Sequence, residues 1–573
     1  MKSRRLIILL SVFVGLILSC KEKEEPATPP EPIKETEKVV AVKDPDVAET
    51  IGFFLDGWQA RSFVAPAFSE KPFAGTVAAT ITIDATSVIS KIPGSVFGNN
   101  AVWWMGSLSQ QALTDMRNLN PHVIRFPGGN SASNYFWNAG QDKPPLDAPS
   151  MLIDKDGLSQ QAEYLYGKSN LDWQFSLDKY YDMLRQTNSE GLISVNYAYA
   201  RYGTASDPVA AAAHLAADWV RYDKGRTKYW EVGNEHFGNW QTGYRIDISK
   251  NKDKQPGIIT GDLYGQHFKV FADSMKKAAA ENGKPIFIGA VAFDAPATES
   301  WQTSTTKGWN AGMMKASGDK ADFYALHSYF TSSENVSAST VLSAASTVPA
   351  SMMSFITADL QKNGAAIKPI ALDEWNMFAL GAKQQVSNVS GLFAVLVLGE
   401  ALTNKYGMTA RWDMLNGWEN GNDHGLFSAG DEPGIPKWNP RPSFYYMYYF
   451  QKLLGDRLIP SSVSGGSGLK TYASSYSSGE LNLSVVNTSS SPQSAEIKFK
   501  NFLPGARYFW YSLEGGTDNG EFSRKVFVNG VGPSLEAGGP VNYDGIRAYS
   551  AQADNGVKVS IPARGAIFMV ISK

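Results

Sequence analysis

The sequence predicts an α/β protein, a (β/α)8 TIM barrel followed by a C-terminal antiparallel β-sandwich. Three observations support this prediction. The 573 residues exceed what one hydrophobic core usually supports, so two or more domains are expected. Short β-rich runs alternate with helix-forming stretches between residues 95 and 414, which is typical of parallel βαβ units. After Gly455, alternating strands are separated by Ser/Gly-rich turns instead. An open doubly wound sheet is the alternative to the barrel, but it normally needs fewer units.

The predicted barrel strands follow one another in chain order. They are SVFGNNAVW (95–103), HVIRFPGG (122–129), LISVNYAYA (192–200), KYWEVGNE (228–235), IFIGAVAF (286–293), FYALHSYF (323–330), IALDEW (370–375) and MTARWDM (408–414). Stretches between them, such as DPVAAAAHLAADWVRYD (207–223), are good helix formers with apolar residues three and four positions apart. The chain therefore alternates strand and helix throughout this region.

The N-terminus is typical of an exported lipoprotein. MKSRRLIILLSVFVGLILSC has a basic start and an apolar run, Leu6 to Leu18, that is short for a membrane span but suits a signal peptide. LILSC resembles the bacterial lipobox, so we expect Cys20, the only cysteine, to be lipidated after removal of residues 1–19. A buried free thiol is the alternative, but it fits poorly directly behind an export signal. With one cysteine, no intrachain disulfide is expected.

Residues 20–44 are rich in Pro, Glu and Lys without apolar periodicity, which predicts a disordered tether. Its charged start resembles surface-export signals of Bacteroidetes lipoproteins, so we expect an outer membrane protein exposed at the cell surface. The membrane is then contacted only through the lipid. Net charge is −2 and no long basic run follows the N-terminus, which argues against a nucleic-acid partner.

The domains expected after the tether are an N-terminal strap, the barrel and the sandwich. We assign the strap to residues 45–78, the barrel to 79–455 and the sandwich to 456–573, with 79–90 able to pair into the sandwich. A Gly-rich segment, 516–545, has two interpretations: an ordinary loop, or one that reaches over the barrel mouth.

Two glutamates mark the ends of predicted strands four and seven. Barrel enzymes place their chemistry at the carboxyl ends of the strands, where Glu235 and Glu374 fall. Alternation along strand seven puts Glu374 on the inward face and Asp373 outward. Glu231 lies deeper on strand four, and we interpret it as structural, paired with a barrel cation. Two carboxyls facing each other across a barrel are what glycosidic bond cleavage requires.

Several motifs resemble those of known enzymes. WEVGNE and LDEWN resemble the acid/base and nucleophile motifs of the clan A retaining glycoside hydrolases, closest to family 51, the α-L-arabinofuranosidases. IRFPGGNSASNYFW and ALHSYF resemble that family's second-strand and sixth-strand motifs, and IPARGAIFMVI resembles the closing strand of its sandwich. The resemblance covers residues 79–573.

The resemblance implies roles for individual residues. Glu235 would be the general acid/base, Glu374 the nucleophile, Asn234 and Asn130 sugar-binding amides, Arg125 a cation that lowers the pKa of Glu374, Tyr329 its hydrogen-bond donor, and His327 part of the sugar pocket. Arg125 could instead be a plain structural ion-pair partner, and His327 a satisfied core histidine. Apart from the resemblance, Trp375 is placed directly after the nucleophile to form a stacking wall, and we expect Trp103, Trp104 and Trp240 to bind substrate; an exposed Trp103 or Trp104 would suit the longer cleft of an endo-glycanase. These indoles could equally be core.

One departure from family 51 concerns the first strand. The family usually carries a glutamate in a G-x-F-x-E-H pattern, whereas FGNNAVWWMG has Asn99 and Asn100 and no acid. The expected function is an α-L-arabinofuranosidase-like retaining hydrolase of plant or algal cell-wall polysaccharide. The alternatives are an endo-acting β-glycanase on glucan, xylan or algal galactan, and a non-catalytic glycan-capture lipoprotein. The sequence shows neither H-E-x-x-H nor a cysteine cluster, so we expect no metal and no cofactor.

Overall fold

A computed structural model describes residues 39–331, 336–378, 383–419 and 424–573. The predicted signal peptide, Cys20 and most of the predicted tether lie outside the described residues. Residues 39–573 form one compact unit in which the barrel and the sandwich pack together.

Eight parallel strands close into a barrel, which confirms the predicted fold class. In chain order they are Gly98–Asn100, Val123–Phe126, Glu190–Val195, Tyr229–Val232, Phe287–Val291, Phe323–Tyr329, Ile370–Asn376 and Met408–Arg411. The first strand pairs with the second and the eighth, so the ring is complete. We refer to these as barrel strands one to eight.

A helix follows each barrel strand. The helices are Gln110–Leu119, Leu177–Thr187, Pro208–Asp223, Gly261–Glu281, Ser304–Ser317, Ala338–Lys362, Asn388–Thr403 and Pro442–Leu453, with one extra turn at Tyr199–Tyr202. All but the last of the eight begin after a Ser, Thr or Asp whose side chain accepts a hydrogen bond from the first turn. The helices thus start where the sequence supplies caps.

The interior of the barrel is stacked in layers along its axis. Its lower part, at the N-terminal ends of the strands, is apolar and comprises Ile51, Phe54, Val123, Leu192, Tyr229, Phe323, Ala325, Ala371 and Met408, which we call the apolar layer. Ile51 and Phe54 come from the strap, where a short 3-10 helix, Gly52–Leu55, closes this end of the barrel. Further along strands two, four, six and seven, the inward positions are the charged or titratable residues Arg125, Glu231, His327 and Asp373.

Two mostly antiparallel sheets form the sandwich. The larger contains Phe68–Glu70, Ser90–Lys91, Arg457–Ile459, Leu469–Ser475, Leu481–Asn487, Arg507–Gly515, Val526–Val528, Ala548–Gln552 and Gly565–Ile571; the smaller contains Ala79–Asp84, Ser461–Gly465, Gln493–Lys500 and Val557–Ile561. Ala79–Asp84 pairs with two sandwich strands, and the strap contributes Phe68–Glu70 through parallel pairing with Ala548–Gln552. Residues before the barrel thus complete the sandwich.

The Gly-rich segment of the sandwich packs along the rim of the barrel. Ser523 O accepts a hydrogen bond from Asn388 N (2.8 Å), and a Glu521 carboxylate oxygen accepts one from Ala338 N (3.1 Å). Arg524 is ion-paired with Glu432 of the loop after barrel strand eight. The segment therefore supports the elements that follow strands six, seven and eight.

Candidate active site

The end of barrel strand four turns sharply at Gly233. Gly233 has a φ of +85°, and a Cβ there would lie 2.9 Å from both His236 Nδ1 and Tyr197 Cβ. Ser194 Oγ donates a hydrogen bond to Gly233 O (2.7 Å), which fixes the turn against strand three. Glycine is needed here because only it adopts this backbone in so little space. The turn presents Asn234 and Glu235 to the open end of the barrel.

Barrel strand seven breaks its alternation before the second glutamate. Opposite strand six, Leu326 pairs with Leu372 but His327 pairs with Glu374, so Asp373 is an extra residue in the strand. Ala371 lies in the apolar layer inside the barrel, whereas Leu372 packs outward against the helices. Such a β-bulge re-aims side chains, and here both Asp373 and Glu374 face inward. The prediction that Asp373 points outward is wrong, because Ala371 and not Leu372 lies on the inward face of the strand; Asp373 follows Ala371 by alternation, and the bulge turns Glu374 inward as well.

The two glutamates meet above the barrel axis. One carboxylate oxygen of Glu235, one of Glu374 and a ring nitrogen of His327 lie within 4.8 Å of one another. Retaining glycosidases hold their two carboxyls about 5–5.5 Å apart, and inverting ones about 6.5–9.5 Å. The close approach of the two carboxyls agrees with the spacing of retaining enzymes rather than with the wider spacing of inverting ones.

Arg125 is the centre of the hydrogen-bond network and is fully buried. Its guanidinium donates to Glu231 Oε2 (2.8 Å), Glu374 Oε2 (2.9 Å), Asn100 Oδ1 (3.0 Å) and Asn234 Oδ1 (2.8 Å). The planar fork of arginine suits such convergent acceptors. Glu231 is thus paired with a barrel cation, as the sequence predicts, and Asn100 is used to hold Arg125.

Other residues predicted for the site also come together here. Tyr329 Oη donates to Glu374 Oε1 (2.8 Å), and the Asn234 amide donates to Gln241 Oε1 (3.1 Å). Asn130 lies exposed at the rim, where its side-chain oxygen accepts from Thr242 N (3.2 Å). Tyr329 therefore holds Glu374, whereas the Asn234 side chain is held between Arg125 and Gln241.

His327 stands between the two catalytic candidates and a second pair of acids. Nδ1 is 3.1 Å from Glu235 Oε1 and 3.7 Å from Glu374 Oε2. Nε2 is 3.5 Å from Glu231 Oε1 and 3.5 Å from Asp373 Oδ1. We call Arg125, Glu231, His327 and Asp373 the charged layer. It lies directly beneath Glu235 and Glu374.

The pKa values of the two glutamates are shifted in opposite directions. Burial is the largest influence on both; for Glu235, His327 and the Trp240 indole outweigh burial and lower its pKa. For Glu374, burial prevails with help from Glu235, so its pKa is raised although His327, Arg125 and Tyr329 oppose the rise. Arg125 does lower the pKa of Glu374 as predicted, but its effect is outweighed. The two carboxyl groups thus lie in electrostatically different surroundings in the free site.

The predicted tryptophans divide into two groups. Trp375 is fully buried among the helices beside Phe393, so the prediction that it forms a stacking wall is wrong: the bulge at Asp373 turns it outward from the barrel. Trp240 is 43% exposed and donates Nε1–H to Glu235 Oε2 (2.8 Å). Trp103 and Trp104 are half-buried, and the ring of Trp103 lies 5.3 Å from that of Trp173.

Three residues at the site escaped the sequence analysis. Asp294 follows barrel strand five and bonds to the Ser328 side chain; burial raises its pKa to about 6. His424 lies 5.4 Å from Tyr329, ring to ring, and Trp301 lies 5.5 Å from Trp240. Asp294 had a signal, since it stands at a strand tip as the two glutamates do. The others sit on long loops with no pattern to mark them.

Comparisons with known proteins agree with this architecture. The alpha-L-arabinofuranosidase 1 domain model matches residues 115–343. An arabinofuranosidase structure from Thermotoga maritima superimposes with a TM-score of 0.56 at 18% identity, covering 87% of this chain and 100% of that one. The family 51 enzyme AbfB from Bifidobacterium longum gives 0.60 at 14% identity, with coverage of 87% and 100%. The fold is that of the family 51 arabinofuranosidases. The resemblance stated from the motifs is confirmed at that level.

Curated relatives match over shorter stretches. Intracellular exo-alpha-(1->5)-L-arabinofuranosidase from Acetivibrio thermocellus is 25% identical over 230 residues, which is 38% of this chain and 38% of that protein. The protein of the same name from Streptomyces lividans is 25% identical over 295 residues, 48% of this chain and 38% of its own length. The chain therefore matches less than half the length of these relatives.

Proposed function

We propose that this protein is a retaining glycoside hydrolase of the α-L-arabinofuranosidase type that acts on plant or algal cell-wall polysaccharide. The observation that carries the proposal is the separation of Glu235 and Glu374, whose nearest oxygens lie within 4.8 Å beside His327. That spacing leaves no room for the extra water of an inverting enzyme. The matched arabinofuranosidase domain and the names of the relatives support the substrate type.

In the first half of the reaction, a Glu374 carboxylate oxygen attacks the anomeric carbon. The bond between that carbon and the leaving oxygen breaks as the oxygen takes a proton from Glu235, and a covalent glycosyl ester forms on Glu374. Tyr329 Oη, 2.8 Å from the nucleophile, fixes which oxygen attacks. The ester removes the negative charge of Glu374. A nearby negative charge raises the pKa of Glu235, so its loss lets Glu235 act as a base in the next step.

In the second half, a water molecule takes the place of the leaving group. Glu235 removes a proton from this water, whose oxygen attacks the anomeric carbon and releases Glu374 as a carboxylate. Two displacements at one carbon restore the original configuration. Trp240, with its indole bonded to Glu235 and its ring 43% exposed, is placed to contact the departing sugar.

The decisive test is hydrolysis of an aryl α-L-arabinofuranoside alongside soluble β-glucans, xylans and algal galactans. Wild type is compared with Glu374→Gln and Glu235→Gln, and the configuration of the first product is read by proton NMR. We expect arabinoside cleavage with retention, lost in Glu374→Gln by roughly a thousandfold or more. Internal cleavage of only a β-glycan would favour the endo-glycanase alternative; glycan binding without turnover would favour the capture lipoprotein.

The two variants also separate the roles of the glutamates. Glu235→Gln should retain far more activity on a dinitrophenyl glycoside than on a polysaccharide, because a good leaving group needs no proton. Glu374→Gln should lose activity on both substrates equally. If the two variants respond alike, the assignment of acid/base and nucleophile is wrong.

We further propose that the protein is anchored to the bacterial outer membrane, exposed at the cell surface, through lipidated Cys20. The basic start, the apolar run and the single cysteine in LILSC support this, together with the charged segment behind them. The curated relatives are named intracellular, so this would distinguish the chain from them. Expression of full-length wild type and Cys20→Ala should give membrane and soluble fractions, respectively. Equal solubility would contradict the proposal, and protease treatment of intact cells tests surface exposure.

A further inference from the structure

Double displacement uses Glu235 and Glu374 but leaves two buried acids without a task. Glu231 and Asp373 are both fully buried in the charged layer. Burying a charge is costly unless it is paired. An apolar side chain at the same buried position would avoid that cost, so the two acids call for a functional explanation. Glu231 Oε1 and Asp373 Oδ1 accept no hydrogen bond among the described residues, yet both face His327 Nε2 at 3.5 Å.

We propose that Glu231 and Asp373 hold a proton on His327, and that the His327–Glu235 pair, rather than Glu235 alone, stores the proton delivered to the leaving oxygen. This rests on the proposed hydrolase function. His327 and Glu231 are positioning residues in this scheme, because only Glu235 reaches the substrate.

The geometry of His327 supports the charged ring. A neutral imidazole has one N–H, and an imidazolium has two. Both ring nitrogens of His327 face carboxylate oxygens, Glu235 on one side at 3.1 Å and Glu231 with Asp373 on the other. Arg125 Nη2 also lies 3.4 Å from Nε2 and can only donate, so a neutral ring that accepts from Arg125 is the competing state; only the imidazolium can donate toward both groups of carboxylates.

The charges around His327 favour the same state. Four carboxyl groups face the ring: Glu231, Glu235, Asp373 and Glu374. The guanidinium of Arg125 opposes a second positive charge on the ring. Burial also disfavours the imidazolium, but the surrounding carboxylates, Glu374 first, outweigh it and raise the pKa of His327 well above its usual value.

The proton transfer then balances as follows. At rest, His327 carries two ring protons and Glu235 is ionised. As the glycosidic bond breaks, the Nδ1–H bond breaks, the proton reaches Glu235 Oε1, and Glu235 passes it to the leaving oxygen. His327 is left neutral and Glu235 ionised. In the second half, Glu235 takes a proton from water and returns it to His327, so no proton is gained or lost by the site.

This arrangement explains how a glutamate whose pKa is lowered in the free site can serve as an acid. The pair as a whole carries one proton, and that proton leaves only when the shared pKa of the pair is exceeded. Because Glu231 adds a negative charge close to the pair, it raises that shared pKa. Removing the charge of Glu231 must therefore lower it.

The test is Glu231→Gln, which removes the charge and leaves an amide oxygen that can accept from Arg125. We expect the basic limb of the kcat/KM profile to move to lower pH by roughly 1–2 units. At neutral pH, kcat/KM should fall roughly tenfold or more on an aryl glycoside with a poor leaving group. With a dinitrophenyl glycoside, which needs no proton, the loss should be much smaller.

A second readout does not depend on activity. In 15N-histidine NMR of the full-length wild type, with the signal assigned through His327→Gln, both His327 nitrogens should have imidazolium shifts at pH 7. In Glu231→Gln, the ring should deprotonate at lower pH. Asp115→Asn is the control: it neutralises a buried carboxylate bonded to Tyr543, away from the site, and should change neither result.

Two results would overturn the proposal. One is a neutral His327 at pH 7 in the wild type. The other is a Glu231→Gln protein that is folded by circular dichroism yet keeps the wild-type basic limb. If the wild type cleaves no glycoside at all, the proposed function fails, but the NMR titration still decides whether Glu231 and Asp373 hold the proton on His327.

Discussion

The two ends of the barrel are built from the same strands but from opposite chemistry. At the lower end, Val123, Tyr229 and Phe323 join the strap residues Ile51 and Phe54 in the apolar layer. Two residues further along strands two and four, the inward positions are Arg125 and Glu231. The lower end releases apolar surface from water, whereas the upper end holds charges away from it. Apolar packing and the catalytic candidates are therefore assigned to different layers of one barrel.

The charged layer compensates for the burial of its acids by pairing each one with a nitrogen of Arg125 or His327. Every carboxyl in the charged layer lies within 3.7 Å of a nitrogen of Arg125 or His327. Removing one partner of such a cluster leaves an unpaired buried charge, which costs more than the pair contributes. At the apolar layer a substitution leaves only a cavity. Substitutions at the two ends should consequently fail in different ways.

The largest effect is expected from Arg125→Met. It leaves Glu231 and Glu374 buried without their cation, so we expect a loss of about 3–5 kcal/mol in the free energy of unfolding together with loss of activity. Chemical denaturation and a turnover assay measure both. Arg185→Met is the matched control, because Arg185 pairs with Asp182 at an exposed position and should cost at most about 1 kcal/mol. Equal stability of the two variants would contradict the distinction between the layers.

A stability change without a catalytic change is expected from Phe54→Ala. Its ring is buried against Tyr229 (5.2 Å) and Phe323 (5.7 Å), so its removal should cost about 3–5 kcal/mol. At a temperature where the variant is folded, kcat should match the wild type. Val64→Ala, in a strap residue that is 83% exposed, should leave stability unchanged. A fall in kcat for Phe54→Ala would show that the two ends are coupled.

Much of this organisation could be predicted from the sequence because it depends on short-range patterns. The order of the strands, the helix caps and the motifs that contain Arg125, Glu235 and Glu374 are each local in the chain. The inward position of both Asp373 and Glu374 could not be predicted, since the bulge that allows it arises from the register of strand seven against strands six and eight. The same bulge buries Trp375 outside the barrel.

The pKa directions were beyond sequence reasoning for a related reason. A motif can suggest that Arg125 lies near Glu374, but the outcome depends on burial and on all the charges that meet there. Glu231, Asp373 and His327 come from three different strands, and their charges together influence the pKa values of Glu235 and Glu374. Only the closed barrel shows that four carboxyls share two cations.

A smaller effect, confined to the upper end, is expected from Trp240→Phe. The indole N–H bonded to Glu235 favours the ionised carboxylate, so its loss should raise the pKa of Glu235. The basic limb of kcat/KM should move to higher pH by less than roughly 1 unit, opposite in direction to Glu231→Gln. Trp301→Phe is the control, since it alters the neighbouring ring while the Trp240 bond to Glu235 remains. A shift to lower pH in Trp240→Phe would be inconsistent with this bond.

The smallest effect concerns the pH dependence of stability through Asp294. Burial raises its pKa to about 6, above the unfolded value of about 3.9. Between these values the folded state holds a proton that the unfolded state has lost, so stability falls as pH rises from about 4 to about 6. Asp294→Asn removes this titration. The Tm of the variant, measured by differential scanning fluorimetry, should therefore rise relative to that of the wild type between about pH 4 and about pH 6. Above about pH 6 it should remain higher by roughly 2–4 °C.

Asp182→Asn tests the sign of that argument. Arg185 lowers the pKa of Asp182 by hydrogen bonding at an exposed position, so its ionised form stabilises the fold above the unfolded pKa, and that contribution is lost as pH falls. The variant should equal the wild type at low pH and be slightly less stable at pH 7, the reverse of Asp294→Asn. If both variants drift in the same direction with pH, the shift comes from global charge and not from the burial of Asp294. In that case the burial of Asp294 would have no separate effect on stability. The charges at the upper end of the barrel would then act on stability together, as one network.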